Sequence, residues 1–119
     1  MLEKAKAAYT RGNYASALRL YQPIADRGSA NAQLQLGHMY SKGQGVPKNY
    51  VEAYKWYSIA ASRLPALHVM HRHLEAVKAH DLAANLITPA QIAEAQRLAS
   101  RWKPNATPPS GFWQRLIGK

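Results

Sequence analysis

The sequence predicts an all-α chain built of helical hairpins, and three observations carry that reading. Alanine supplies 21 of the 119 residues against 12 for Val, Ile and Thr combined, a balance that favours helices and starves strands of the β-branched residues they prefer. Apolar residues recur at helical spacing in successive stretches separated by Gly, Pro and Asn turns. The second helix of each of two hairpins repeats one pattern of aromatic and alanine positions, which marks related units.

Residues 2 to 11 are short and alanine-rich. They end at Arg11-Gly12-Asn13, where Gly12 suits a left-handed helix end and Asn13 suits a cap for the next helix. That helix, about 14 to 27, spaces Tyr14, Ala17, Leu18, Tyr21, Ile24 and Ala25 on one face, with a kink expected at Pro23 and a stop at Gly28. A third helix, about 30 to 42, turns Ala32, Leu36, Met39 and Tyr40 inward, and Gly37 leaves room for a neighbouring helix. It stops at Gly43-Gln44-Gly45-Val46-Pro47. The fourth, about 50 to 62, opens with Asn49 and Glu52 in a capping-box-like arrangement and buries Ala53, Trp56, Tyr57 and Ala60.

Aligning the hairpins sets Gly12-x-Tyr14-x-x-Ala17-x-x-x-Tyr21 against Tyr50-x-x-Ala53-x-x-x-Tyr57. The stretch Ala32-x-x-x-Leu36-Gly37-x-Met39-Tyr40-x-x-Gly43-x-Gly45-Val46, followed by Ala53-x-x-Trp56-Tyr57-x-x-Ala60-Ala61, resembles the Sel-one-like repeat, a relative of the tetratricopeptide repeat. The resemblance implies a short right-handed α-solenoid of about six helices. One domain then spans 1–103: a degenerate repeat over 1–28 without the Leu-Gly pair, a full repeat over 29–63, and closing helices over 64–103 like those of bacterial members of the family. Ser62-Arg63-Leu64-Pro65 stands where the repeat pattern expects glycine, so a third complete repeat is not expected. A closing unit suits repeat arrays, whose units bury their faces only against neighbours.

In the closing helices, Leu67, Met70, Leu74, Val77 and Ala84 mark the apolar stripe of a helix over about 66 to 86. Asp81 stands in the middle of that stripe. An unpaired carboxylate there would be costly to bury, so Asp81 is expected to bond with Arg97, Arg101 or Trp102. Thr88-Pro89-Ala90-Gln91 is a helix start with a capping box, and Ile92, Ala95, Leu98, Ala99 and Trp102 form the buried face behind it. Residues 104–119 read as a Pro-rich linker with an apolar end, Phe112, Trp113, Leu116 and Ile117. Four large apolar residues within six positions are expected to dock on the protomer's own end or in a neighbour's groove, the latter giving self-association.

The chain contains no cysteine, which excludes disulfides and thiol chemistry and leaves the redox compartment open. No apolar run reaches the ~18 residues of a membrane span, and the Met1-Leu2-Glu3-Lys4 start lacks the apolar core of a secretion signal. The compartment stays open: cytoplasmic as the sequence stands, periplasmic or secreted if a signal segment is removed ahead of Met1. Six carboxylates, Glu3, Asp26, Glu52, Glu75, Asp81 and Glu94, are scattered without motif spacing, and no phosphate loop, nucleophile elbow or zincin motif is present. The chain is therefore read as no enzyme and as needing no cofactor.

His68, His71 and His73, with His80 one heptad on, are read as a solvated, pH-sensitive helix face rather than a metal site. The wheel sets His68, His71 and Glu75 on one side and His73 and His80 on the other. The formal charge of +10 divides evenly, +5 over residues 1–60 and +5 over 61–119, with no concentrated arm. Eight of the eleven aromatics fall between Tyr9 and Tyr57, at repeat core positions rather than as exposed stacking groups. The expected function is a non-catalytic protein–protein scaffold with a concave groove for a peptide or protein segment, an acidic partner suiting the basic charge; an electrostatic binder of nucleic acid or another polyanion is the alternative. The resemblance implies a groove formed by the outward stripe of each first helix: Asn31, Leu34, His38, Ser41 and Lys42, joined by Lys6 and Thr10 of the first unit.

Overall fold

The structure is a computed structural model that describes residues 2–63 and 66–103, with residues 66–73 described for their backbone alone. Among the described residues every regular element is a helix: α1 (Leu2–Thr10), α2 (Tyr14–Asp26), α3 (Ala30–Lys42), α4 (Tyr50–Arg63), α5 (Ala66–Ala84) and α6 (Pro89–Arg101). Each of the first four packs on the next, and α4 also takes α6, a layout of the helical solenoid type.

Local chemistry sets the helix ends. α1 closes through Gly12 at φ +82°, with Gly12 and Asn13 backbone N–H groups donating to the carbonyls of Tyr9 and Ala8, both at 2.9 Å. Asn13, expected to cap α2, makes no side-chain cap bond; its ψ of 72° lies outside the extended region a capping residue adopts. Ser29 caps α3 by accepting from Ala32 N–H, and Asn49 Oδ1 caps α4 by accepting from the N–H groups of Val51 and Glu52. Glu52 pairs forward with Lys55 at 2.9 Å instead of completing a capping box. In α6 the reciprocal Thr88 and Gln91 box is complete. Pro23 sits inside α2, which runs through to Asp26.

Two apolar clusters meet across α4. The first joins Ala5 and Ala8 of α1, Ala17, Tyr21 and Ala25 of α2, Ala32, Leu36 and Met39 of α3, and Trp56 and Ile59 of α4. The second joins Leu34 to Ala53, Tyr54, Tyr57 and Ala60 on the other side of α4, and to Ala76 and Ala83 of α5 and Ala95 of α6. An apolar circumference of this kind belongs to a helix with neighbours on every side. Gly37 sets the α3–α4 approach: a Cβ there would lie 2.5 Å from the Tyr57 ring. An alanine would gain about 1 kcal/mol in helix propensity. It would lose about 1 to 3 kcal/mol by pushing aside a ring already packed and hydrogen-bonded, so the glycine wins.

α5 departs from its expected register. Among its described side chains the buried ones are Ala76 and Ala83; of the expected stripe Leu74 is 48% exposed and Val77 and Ala84 are half-buried, and Leu82 and Leu86, the last just past its end, are 66% and 57% exposed. Small alanines let the α5 backbone come close to the aromatic side of α4, which turns the leucines outward. Asp81 therefore faces solvent, its side chain 71% exposed, and it accepts from His80 Nδ1 at 3.1 Å rather than from Arg97, Arg101 or Trp102. The expected burial of Asp81 is corrected. α6 keeps the face read from the sequence, with Ala95 buried and Ile92, Leu98, Ala99 and Trp102 half-buried.

Candidate binding groove

Between the end of α3, the start of α4 and the second half of α5 lies a slot of about 180 Å³. His38 and Ser41 come from α3, Tyr50 and Tyr57 from α4, and Ala79, Leu82 and Ala83 from α5, with Leu86 just beyond it. Its floor is an ordered polar chain. His38 Nδ1 lies 2.8 Å from Tyr57 Oη, and His38 Nε2 lies 3.0 Å from Glu75 Oε2. A neutral ring carrying its proton on Nε2 satisfies both: the tyrosine hydroxyl donates to Nδ1 and Nε2–H donates to the carboxylate. His38 thus ties α3 to α4 and α5 and fixes the width of the slot.

Burial pushes the Tyr57 phenol up to about 12; the Ser41 hydroxyl works against that rise and the Glu75 carboxylate adds to it. Burial also raises Tyr21 and Tyr40. A phenol whose folded pKa stands above its ordinary value of 10 stabilises the fold fully below that value and ceases to do so as pH rises through the folded one. Denaturation midpoints should therefore fall between pH 10 and about 12, and Tyr57→Phe should make that fall shallower.

The groove residues read from the sequence divide into separate places. His38 and Ser41 line the slot, and Lys42 is exposed beside it at the C-terminus of α3, where a cation suits the helix dipole. Asn31 is exposed at the other end of α3. Lys6 and Thr10 are exposed on α1, away from the slot, with the Thr10 hydroxyl donating back to the Lys6 carbonyl at 2.9 Å. Leu34 is 1% exposed and belongs to the cluster it forms with α4, α5 and α6, so it lines no open surface. Repeat register placed it outward; the closing helices cover it.

The side chains of His68, His71 and His73, and the tail residues Phe112, Trp113, Leu116 and Ile117, lie outside the described residues. His80 is half-buried, its ring 4.2 Å from that of Tyr54. Among the described residues no cluster of three or more His, Asp or Glu side chains is placed to hold a metal, and no helix is long and apolar enough to cross a membrane. Leu82 and Leu86 were not singled out from the sequence, and Tyr50 was read as a repeat position only. The signal for them was the Ala76, Ala79 and Ala83 series, which marks the close-approach face of α5 and leaves Leu82 and Leu86, one turn apart, pointing away.

A model of the Sel1 repeat matches residues 3–29 and 30–63, together more than half of the chain. The chain belongs to the Sel1 repeat family. The second Sel1 match ends at Arg63, the last residue of α4, so the slot forms where the matched Sel1 repeats meet α5. Neither a curated protein nor a solved structure matches the chain. Sel1 repeats are in general protein–protein interaction modules and typically non-catalytic scaffolds.

Proposed function

We propose that this Sel1 protein is a non-catalytic interaction module that holds an acidic protein segment along its concave face. A bulky apolar side chain of the segment sits in the slot between α3, α4 and α5. The observation that carries this is the exposure of Leu82 and Leu86, 66% and 57%, at the mouth of a slot whose other walls are already packed. Apolar surface gains about 25 cal/mol per Å² when it is covered, and a solvated leucine pair beside a concavity is where a partner gains most.

The charge of the partner follows from the chain's net +10. Near the slot Lys42 adjoins Ser41, Lys78 adjoins Ala79 and the Lys48 ammonium stands 5.9 Å from the Tyr50 ring centroid, against Asp81 beside Leu82 and the Glu75 carboxylate held by His38. These cations repel a second copy of a chain with net charge +10 and attract Asp and Glu. Asn31, Lys6 and Thr10, exposed outside the slot, are proposed as outlying contacts.

Peptide-library selection on the full chain should enrich segments that combine Asp or Glu with Leu, Ile or Phe. For a selected peptide, Leu82→Ser with Leu86→Ser should weaken binding at least tenfold, about 1.4 kcal/mol. Helical circular dichroism should stay unchanged because both leucines are exposed. Undiminished binding by the double variant contradicts the groove. The polyanion reading predicts the opposite pattern, in which affinity falls steeply with salt and is indifferent to both leucines.

A further inference from the structure

The large apolar residues that stand exposed among the described residues, Leu74, Leu82 and Leu86, all lie on α5 and its exit. With Lys78 they form one row at four-residue intervals, and every member of that row is exposed. Such a row is the i, i+4 ridge of a helix surface. Leu86 stays on it because the Asn85 and Leu86 N–H groups donate to the carbonyls of Leu82 and Ala83 at 3.2 and 3.0 Å, which carries the helical path past Ala84. From Leu74 to Leu86 the ridge runs about 18 Å, at about 1.5 Å per residue. Its Leu82 and Leu86 end is the lip of the slot, whereas Leu74 and Lys78 lie beyond the slot's lining.

The first helix is finished differently. α1 turns Glu3, Lys4, Lys6, Ala7 and Thr10 to solvent, the polar outer face of a terminal unit. α1 pairs with α2 and α3 with α4, whereas α6 packs on α4, so no helix of the described fold covers the row on α5.

We infer that a helix of a partner protein packs lengthwise on this ridge, setting apolar side chains against Leu74, Leu82 and Leu86 and an Asp or Glu against Lys78. The inference rests on the proposed use of Leu82 and Leu86 as a binding lip. It adds the fold of the bound segment, its path along α5 and the place of its acid. An i, i+4 row fits the groove between the rows of a second helix, and covering three leucines supplies the drive. Charge selects the occupant. The Lys78 ammonium makes no ion pair among the described residues, so a facing acid gains it without breaking an existing contact. Asp81, exposed on the neighbouring row and held by His80 at 3.1 Å, disfavours a second acid at the level of Leu82. A second copy of this chain would set Lys78 against a surface of net charge +10.

The test selects binders of the full-length protein from two displayed libraries of segments about five helical turns long. Both are randomised over Leu, Phe, Ala, Asp, Glu, Lys and Arg. One presents the segment as the surface helix of a rigid helical scaffold, and the other presents it as a linear peptide with a proline at its centre. The scaffolded library should be enriched, and its winners should carry Asp or Glu between apolar positions although Lys and Arg were equally offered. Leu74→Ser and Lys78→Glu should each weaken a winner by about tenfold. Changing the winner's acid to Lys should restore binding to the Lys78→Glu protein, a rescue that a misfolded variant would not give. Enrichment of the proline library alone, or of neither library, overturns the proposal. So do winners indifferent to Leu74→Ser and Lys78→Glu: if they still need Leu82 and Leu86 the slot stands without the ridge, and if they do not, both fall. A full-length chain that is dimeric in solution and monomeric with Leu74→Ser makes a second copy the occupant and overturns it as well.

Discussion

Replacing Trp56 with alanine should lower the stability of the chain by about 3 to 5 kcal/mol, the range for a buried tryptophan. The side chain is 3% exposed and belongs to the cluster that joins α1, α2 and α3 to α4. It also meets Trp102 beyond α6, and the Lys55 ammonium lies 4.7 Å from its ring centroid. Its loss removes burial from the first cluster and from Trp102 at once. Against a total stability of about 5 to 15 kcal/mol this is a large fraction. Urea denaturation should show a lower midpoint with an unchanged slope. A shift under 1 kcal/mol would mean that Trp56 does not anchor α4 in the first cluster.

The second large effect is expected at Gly45, where two penalties add. Its φ of +81° is left-handed, which costs a residue with a Cβ about 1 to 2 kcal/mol. A Cβ would also lie 2.7 Å from the Tyr14 carbonyl oxygen and 2.8 Å from its carbon, both backbone atoms at the start of α2. Backbone cannot swing aside as a side-chain tip can, so overpacking adds about 1 to 3 kcal/mol. The reduced freedom of the unfolded chain returns at most about 1 kcal/mol, leaving a net loss of roughly 1 to 4 kcal/mol. Gly12→Ala is the matched control, since Gly12 has φ +82° with nothing within 4 Å of its Cβ position. Thermal melts should place Gly45→Ala below Gly12→Ala. Equal melting temperatures would show that the α3–α4 loop does not rest on the first hairpin.

Gly45 also shows why much of the fold was legible in the sequence. The glycines at 12, 43 and 45 take left-handed conformations that other residues avoid, and Thr88 and Gln91 cap α6 with their own side chains. Such signals are local and survive without knowledge of neighbours. Leu34 and α5 were not legible in the same way, because their orientation is settled by what packs on them. By hydrophobicity Leu74 and Leu82 outrank the alanines of α5 for the core; against Tyr54 and Tyr57 it is Ala76 and Ala83 that pack, with Leu74 and Leu82 exposed. Asp81 followed the leucine-based stripe and was misplaced with it.

The slot was half legible for that reason. His38, Ser41 and Lys42 follow from repeat register, but the opposite wall of the slot belongs to α5, beyond the matched repeats. His38 also proved to be a tie between three helices, hydrogen-bonded at both ring nitrogens, so its replacement tests the shape of the slot as much as contact with a partner.

The central claim is that a protein segment binds in the slot between α3, α4 and α5, and amide chemical-shift mapping tests it most directly. Full-length ¹⁵N-labelled protein would be titrated with a selected acidic peptide. The account predicts that the largest perturbations fall on Ser41, Tyr50, Ala79, Leu82 and Leu86, with Lys42 and Lys78 beside them, while α2 stays unmoved. Perturbations spread over the scattered Lys and Arg residues with Leu82 and Leu86 unaffected would contradict it.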